Sequence, residues 1–245
     1  MTWMGKILGG GLGFLLGGPI GAVLGAVLGH HTVDSGGTFS GLESKQGIYF
    51  AATFSMLGKI AKADGVVTDD EIQIVDQVMR NNLQLSPDAR LFAIDIFNVA
   101  KDSDVPFGDF AHQFHGEFGH SQEILISLID LLLLVAYADG ELHPGEEAMI
   151  QEAVQIFGLQ GQYSQLKSRF NGLPDDINRH YKILGCSQGD TLSAVKKKYR
   201  KLAMEHHPDR IHANGMPPEF AQVAEDRFKE IQHAYDLVVK HIGGK

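Results

Sequence analysis

"EILISLIDLLLLVAYA", residues 123 to 138, is the most apolar internal stretch of the chain, and its reading decides the fold. A helix of these 16 residues would rise about 24 Å, short of the roughly 30 Å hydrocarbon core of a bilayer, and Asp130 sits in its middle. A helix apolar on every side belongs inside a protein, so the stretch is expected to be the buried centre of an all-α domain. The sequence on either side agrees. Thr68 and Glu71 form a capping box before "DDEIQIVDQVMRNN", and Ser86-Pro87 pairs an N-cap with proline at the first helical position before "DARLFAIDIFNVAK". No strand-like alternation interrupts these signals.

With 245 residues, 44% of them apolar, the chain is long enough for two small cores. Its one cysteine, Cys186, rules out an internal disulfide, a thiolate zinc site and a CxxC redox pair, and fits a reducing compartment. The net charge of −9 is unevenly spread. Residues 1–177 carry 9 Lys/Arg against 22 Asp/Glu, whereas 178–245 carry 12 against 8. The divisions expected are a tail at 1–6, an apolar segment at 7–29, a Gly/Ser/Thr linker at 30–44, a helical domain at 45–160, a linker at 161–177 and a C-terminal domain at 178–245.

The helical domain contains an internal repeat. "AKADGVVTDDEI" at 61–72 and "AYADGELHPGEEAMI" at 136–150 share Ala-x-Ala-Asp-Gly, with a carboxylate seven residues after the Asp. One reading is structural: Gly65 and Gly140 end a helix, and the later Glu sits in the first turn of the next, where the helix dipole favours negative charge. The other is a pair of oxygen-only sites for a divalent cation, calcium or magnesium. Asp64, Asp69 and Glu71 would form one and Asp139, Glu146 and Glu147 the other, although neither has EF-hand spacing. These half-repeats resemble the TerB tellurite-resistance family over roughly residues 45–160, which implies a partner-binding or divalent-metal-sensing domain.

Residues 7–29, "ILGGGLGFLLGGPIGAVLGAVLG", hold 23 uncharged residues, nine of them glycine. As a helix they would reach about 35 Å and cross a bilayer, where glycine is tolerated. A cleavable signal peptide and a flexible leader are the other readings. Gly9, Gly13, Gly17, Gly21, Gly25 and Gly29 recur every four residues and leave one helix face without side chains. Gly13, Gly17, Gly21 and Gly25 are therefore expected to pair two transmembrane helices in a homodimer.

In the C-terminal domain, Val195, Tyr199, Leu202 and His206 share one face of a helix running from Thr191, and Val223, Phe228, Ile231, Tyr235 and Val238 share a face of the next. The two helices are expected to form an antiparallel hairpin. Lys196, Lys197, Arg200 and Lys201 then point outward, and Pro208 ends the first helix so that His207 and Asp209 lie in the loop at the tip. Nucleic acid is not the expected partner, because no aromatic residue lies on the exposed face and Asp209 would repel phosphate. His206, His207 and His212 do not point one way, which argues against a metal site. No nucleophile, base and oxyanion set or phosphate loop is present, so an enzyme is not expected.

"HYKILG", "VKKKYRKLAMEHHPDR" and "RFKEIQHAYDLV" resemble the J domain of DnaJ-type co-chaperones in order and spacing. The resemblance implies that His207, Pro208 and Asp209 trigger ATP hydrolysis by the seventy-kilodalton heat-shock chaperone, DnaK in bacteria. It also implies that Lys196, Arg200 and Lys201 meet an acidic surface on it. The Gly/Phe-rich and cysteine zinc regions of full-length DnaJ proteins are missing, so substrate holding of that kind is not implied. Span, TerB-like domain and J domain together resemble a family of membrane-anchored co-chaperones of Gram-negative bacteria, linked to envelope-stress and capsule signalling through an unidentified membrane or signalling client. The resemblance implies an inner-membrane protein with its N-terminus periplasmic and its domains cytoplasmic. Lys6, alone near the span, would by the positive-inside rule favour the opposite orientation.

Overall fold

The structure is a computed structural model that describes residues 17–29, 44–63, 69–170 and 177–243. Every element among the described residues is helical. They are α1 (17–29), α2 (Lys45–Ala61), α3 (Asp69–Asn81), α4 (Pro87–Asp102), α5 (Phe107–Phe118), α6 (Gln122–Ala136), α7 (Pro144–Ile156) and α8 (Gln160–Lys167). After these come α9 (Ile177–Ile183), α10 (Leu192–Glu205), α11 (Pro208–Ala213), a 3₁₀ turn (Pro218–Phe220) and α12 (Ala221–Gly243).

The stretch at 123–138 is the buried centre of the first domain. Ser121 caps α6, and Ile124, Leu128, Ile129, Leu132 and Leu133 are each 0% exposed. Around α6 pack α2, α3, α7 and α8, and α2 lies along α4. That last pair needs Gly58, because a Cβ there would stand 2.5 Å from the Phe97 carbonyl oxygen. Ser86 caps α4 as expected, its Oγ accepting the Ala89 N–H at 3.2 Å. Gly140 takes φ +99°, the left-handed conformation that the second Asp-Gly turn calls for.

Of the expected span, the described part is α1, 13 helical residues that would rise about 20 Å. Among the described residues no helix is long and apolar enough to cross a membrane, and residues 7–16, with Gly13, lie outside them. Ile20, Val23, Leu24 and Val27 pack into the core of the helical domain, while Gly17, Gly21 and Gly25 are half-buried. Gly18 has φ +62°, and Gln113 bonds the backbone on either side of it. Its Nε2 donates to the Gly17 carbonyl at 2.5 Å, and the Ile20 N–H donates to its Oε1 at 2.8 Å.

The segment 161–177, expected as a linker, carries most of α8. Leu166 is buried, Gln165 Nε2 donates to the Ile183 carbonyl at 2.6 Å, and Arg169 and Phe170 close onto the domain. Its polar composition conceals how few apolar side chains a short docked helix needs.

The C-terminal hairpin forms from α10 and α12, with α9 beside α12. Val195, Ile231, Ala234 and Val238 make its core with Tyr181, Ile183 and Leu184, and Tyr199 stacks on Tyr235 at 4.0 Å between ring centroids. The segment after the hairpin tip packs elsewhere. Ile211, Met216, Phe220 and Ala224 belong to the core of the helical domain, where the Phe220 ring lies 5.0 Å from Tyr49. The two domains therefore share apolar surface.

Candidate chaperone-docking site

Lys196, Lys197, Arg200 and Lys201 are exposed on α10, as their helical phase requires, while Val195 and His206 face inward. Thr191 caps the helix, accepting the Ala194 N–H at 3.3 Å. Two lysines have partners within the domain. Lys198 reaches the Gly185 carbonyl and Asp190, and Lys201 pairs with Glu205 at 3.5 Å.

One expectation at the tip is corrected. His207 and Asp209 do not lie in a loop. His206 is the C-cap of α10, His207 the N-cap of α11 and Pro208 its first residue. Proline suits that position because its missing N–H would have had no helical partner there. His207 Nδ1 accepts the Asp209 N–H at 3.3 Å. The ring stands edge-on to Phe228, 5.4 Å between centroids. The His207 side chain is 45% exposed and that of Asp209 92%, so both are open to solvent.

Behind the exposed His-Pro-Asp tripeptide lies a buried charge network between the domains. Asp130, from the middle of α6, pairs with Arg169 at 2.8 Å and with Arg227 of α12 at 3.5 Å. Glu230 Oε2 accepts from Arg169 Nε at 2.7 Å and from Arg227 Nη1 at 2.8 Å. Two carboxylates thus face two guanidinium groups. Burial alone would raise the Asp130 carboxyl, but Arg169 and Arg227 outweigh it and hold it below the ordinary value. Arg227 is pushed down by burial and by the charge of Arg169, yet arginine remains a cation.

His206 adjoins this network, and burial, together with the charge of Arg227, pushes its imidazole down to about 3. The unfolded chain therefore binds a proton near pH 6.5, well before the folded chain does. This stability is complete above about pH 6.5 and is lost as the pH falls towards about 3. The expected slope is about 1.4 kcal/mol per pH unit. Denaturant titrations across this window should show it, and His206→Asn should flatten it.

The acidic turns divide between described and undescribed residues. The side chains of Asp64, Asp69 and Glu71 lie outside the described ones. The other three carboxylates act locally: Asp139 accepts the Glu141 N–H at 3.0 Å, Glu146 accepts the His143 N–H at 3.1 Å, and Glu147 bonds Lys167. That bond to Lys167 holds the Glu147 carboxyl below its ordinary value. No group of three metal-ligating side chains gathers among the described residues.

Glu123, Arg169, Arg210 and Arg227 have no place in the sequence-based site. Glu123 pairs with Arg210, the residue after Asp209, at 2.6 Å. Arg227 could be seen only as one charge on an apolar helix face.

Comparison with known proteins places each part of this architecture. Residues 1–43 match the family model of the co-chaperone DjlA transmembrane domain, 50–167 that of the tellurite resistance protein TerB and 179–241 that of the DnaJ domain. The co-chaperone protein DjlA of Yersinia pseudotuberculosis is 32% identical, with 100% of each chain covered. The DjlA proteins of Vibrio cholerae and Escherichia coli K12 are 34% identical over 98% of this chain and 99% of theirs, and 29% identical over 100% of both. No solved structure matches. With an anchor, a TerB-like domain and a J domain in this order, and relatives aligned from end to end, the chain belongs to the DjlA family of membrane-anchored co-chaperones.

Proposed function

We propose that the chain recruits DnaK beside the inner membrane and stimulates its ATP hydrolysis, with His207, Pro208 and Asp209 as the trigger and Lys196, Arg200 and Lys201 as the surface that steers the chaperone in. The observation that carries this reading is the His-Pro-Asp tripeptide at an exposed helix start, beside an exposed basic face, within a J domain. Charge of one sign on a partner face raises the association rate and sets orientation more than it raises affinity. The chain supplies no chemistry of its own here, and the ATP is hydrolysed by its partner. The test is single-turnover ATP hydrolysis by DnaK with the full chain in nanodiscs. Acceleration with rising chain concentration is expected, and an unchanged rate would refute the reading.

Because that partner and ATP are cytoplasmic, the J domain faces the cytoplasm and the N-terminus the periplasm, against the pull of Lys6. The client is a membrane or signalling protein, and the setting we propose is envelope-stress or capsule-related signalling. A divalent cation at the TerB-like turns would have to use Asp64, Asp69 and Glu71, since Asp139, Glu146 and Glu147 cap and brace α7.

The anchor also pairs two copies of the chain. Lipid gives no hydrophobic drive to helix association, so close packing must supply it, and the face of Gly13, Gly17, Gly21 and Gly25 lets two backbones approach. Four-residue spacing drifts by about 40° per step, so the contact centres on Gly17, Gly21 and Gly25, and it requires α1 to leave the domain core in which Ile20, Val23, Leu24 and Val27 pack in this structure. Two J domains would then serve one client at a raised local concentration. Gly21→Leu should retain membrane insertion and lower the yield of crosslinked dimer. An unchanged yield would show that the glycines serve another packing need.

A further inference from the structure

The trigger is held from two sides, and only one of them belongs to the J domain. On the J-domain side, His207 leans on Phe228 of α12. On the other, α11 packs against α6 of the TerB-like domain, and the Ile211 side chain is 1% exposed within that domain's core. One residue earlier in the helix, Arg210 Nη2 meets Glu123 Oε1 at 2.6 Å. Glu123 is itself fixed: it sits in the first turn of α6, only 8% exposed, and its other oxygen accepts the Ser121 hydroxyl at 3.0 Å. The Arg210 guanidinium also lies 3.5 Å from the Met204 carbonyl, near the end of α10. A single arginine, the residue after Asp209, thus ties α11 to α6 of the TerB-like domain and to the end of α10.

The contact leaves the docking surface open. The residues of α10 that line the cleft towards α6 and α8 are Lys198, Lys201, Leu202, Glu205 and His206. Of the proposed docking residues only Lys201 edges this cleft, and its side chain is still 69% exposed; Lys196 and Arg200 lie away from it, and Asp209 projects at 92% exposure. The TerB-like domain therefore supports the trigger from behind rather than covering it.

We infer that Glu123 of the TerB-like domain is a positioning residue for the J-domain trigger, acting through Arg210 to hold α11, and with it Pro208 and Asp209, in one orientation. A helix of 6 residues has little stability of its own, so tertiary contacts must fix it. When only part of a population holds the competent geometry, apparent affinity falls by that fraction while the bound complex is unchanged. Resting on the DnaK reading, the functional consequence is a change in the chain concentration needed for half-maximal stimulation, with the maximal rate preserved. A merely structural role would instead lower the amount of active protein and with it the maximum.

The test uses the full chain in nanodiscs and the variants Glu123→Lys, Arg210→Glu and both together. Two quantities are measured: hydrogen exchange of the amides from 208 to 216, and the chain concentration for half-maximal stimulation of DnaK. Glu123→Lys, which sets two cations against each other, is expected to speed exchange in α11 and raise the half-maximal concentration about fivefold, as for a lost pair worth about 1 kcal/mol. In the double variant, with the charges exchanged, both quantities should recover beyond the product of the single effects, and this comparison cancels any direct contact of Arg210 with the chaperone. Exchange in α11 that ignores Glu123→Lys, or effects of the two substitutions that simply multiply, would overturn the inference. Should the parent chain fail to stimulate DnaK while α11 exchange still follows the charge swap, the co-chaperone reading falls and the hold of Glu123 on α11 stands.

Discussion

Replacing Asp130 with asparagine is expected to cost the fold about 3–5 kcal/mol, because it leaves Arg169 and Arg227 buried with Glu230 as their one remaining counter-charge. Asparagine keeps the shape and removes the charge, so lost packing contributes little. The loss should appear in denaturant titrations as a lower midpoint. It should also divide one transition into two, since Asp130 belongs to the TerB-like core and Arg227 to α12, and the network joins them. Adding Arg227→Met should recover part of the stability, because a buried ion pair replaced on both sides by matching neutral groups costs far less than one broken on one side. If Asp130→Asn unfolds at the parent midpoint in a single transition, the network does not hold the domains together.

The second large effect concerns chemistry rather than stability. His207→Gln is expected to reduce the stimulated ATP turnover of DnaK at least about tenfold, a loss of 1.4 kcal/mol or more in barrier lowering. Helical circular dichroism should stay unchanged, since the His207 side chain is 45% exposed and the hairpin core of Val195, Ile231 and Val238 does not touch it. Equal stimulation by the variant and the parent would show that the tripeptide is not the trigger. Loss of stimulation together with loss of helix would assign His207 a structural role instead, through its cap on α11 and its contact with Phe228.

Much of this architecture could be read from local patterns. Ser86-Pro87, the Asp-Gly turn at Gly140 and the Val195–His206 face each depend on neighbours within a turn or two, so the residues themselves carry the signal. Asp130 was legible as an anomaly, one charge in the most apolar helix. Its partners are not, because a charge network across a domain boundary leaves no periodic trace: Arg169 looks like an ordinary surface cation, and Arg227 shows only as one charge on an apolar helix face. The start of α11 was legible and misread. His207-Pro208 follows the same cap-then-proline rule as Ser86-Pro87, but the short helix after it buries only Ile211 and so shows no repeating apolar face. The docked helix at 160–167 was concealed in the same way, with Leu166 its only buried residue.

Anchoring of the chain in a membrane and engagement of DnaK by its J domain are tested together by one measurement. Liposomes carrying the full chain with its J domain outward are floated through a density gradient in the presence of DnaK and ATP. DnaK is expected to rise with the vesicles, to stay at the bottom when they carry His207→Gln, and to stay there also without the chain. DnaK left at the bottom with the parent chain, or rising equally with the His207→Gln variant, would contradict this expectation.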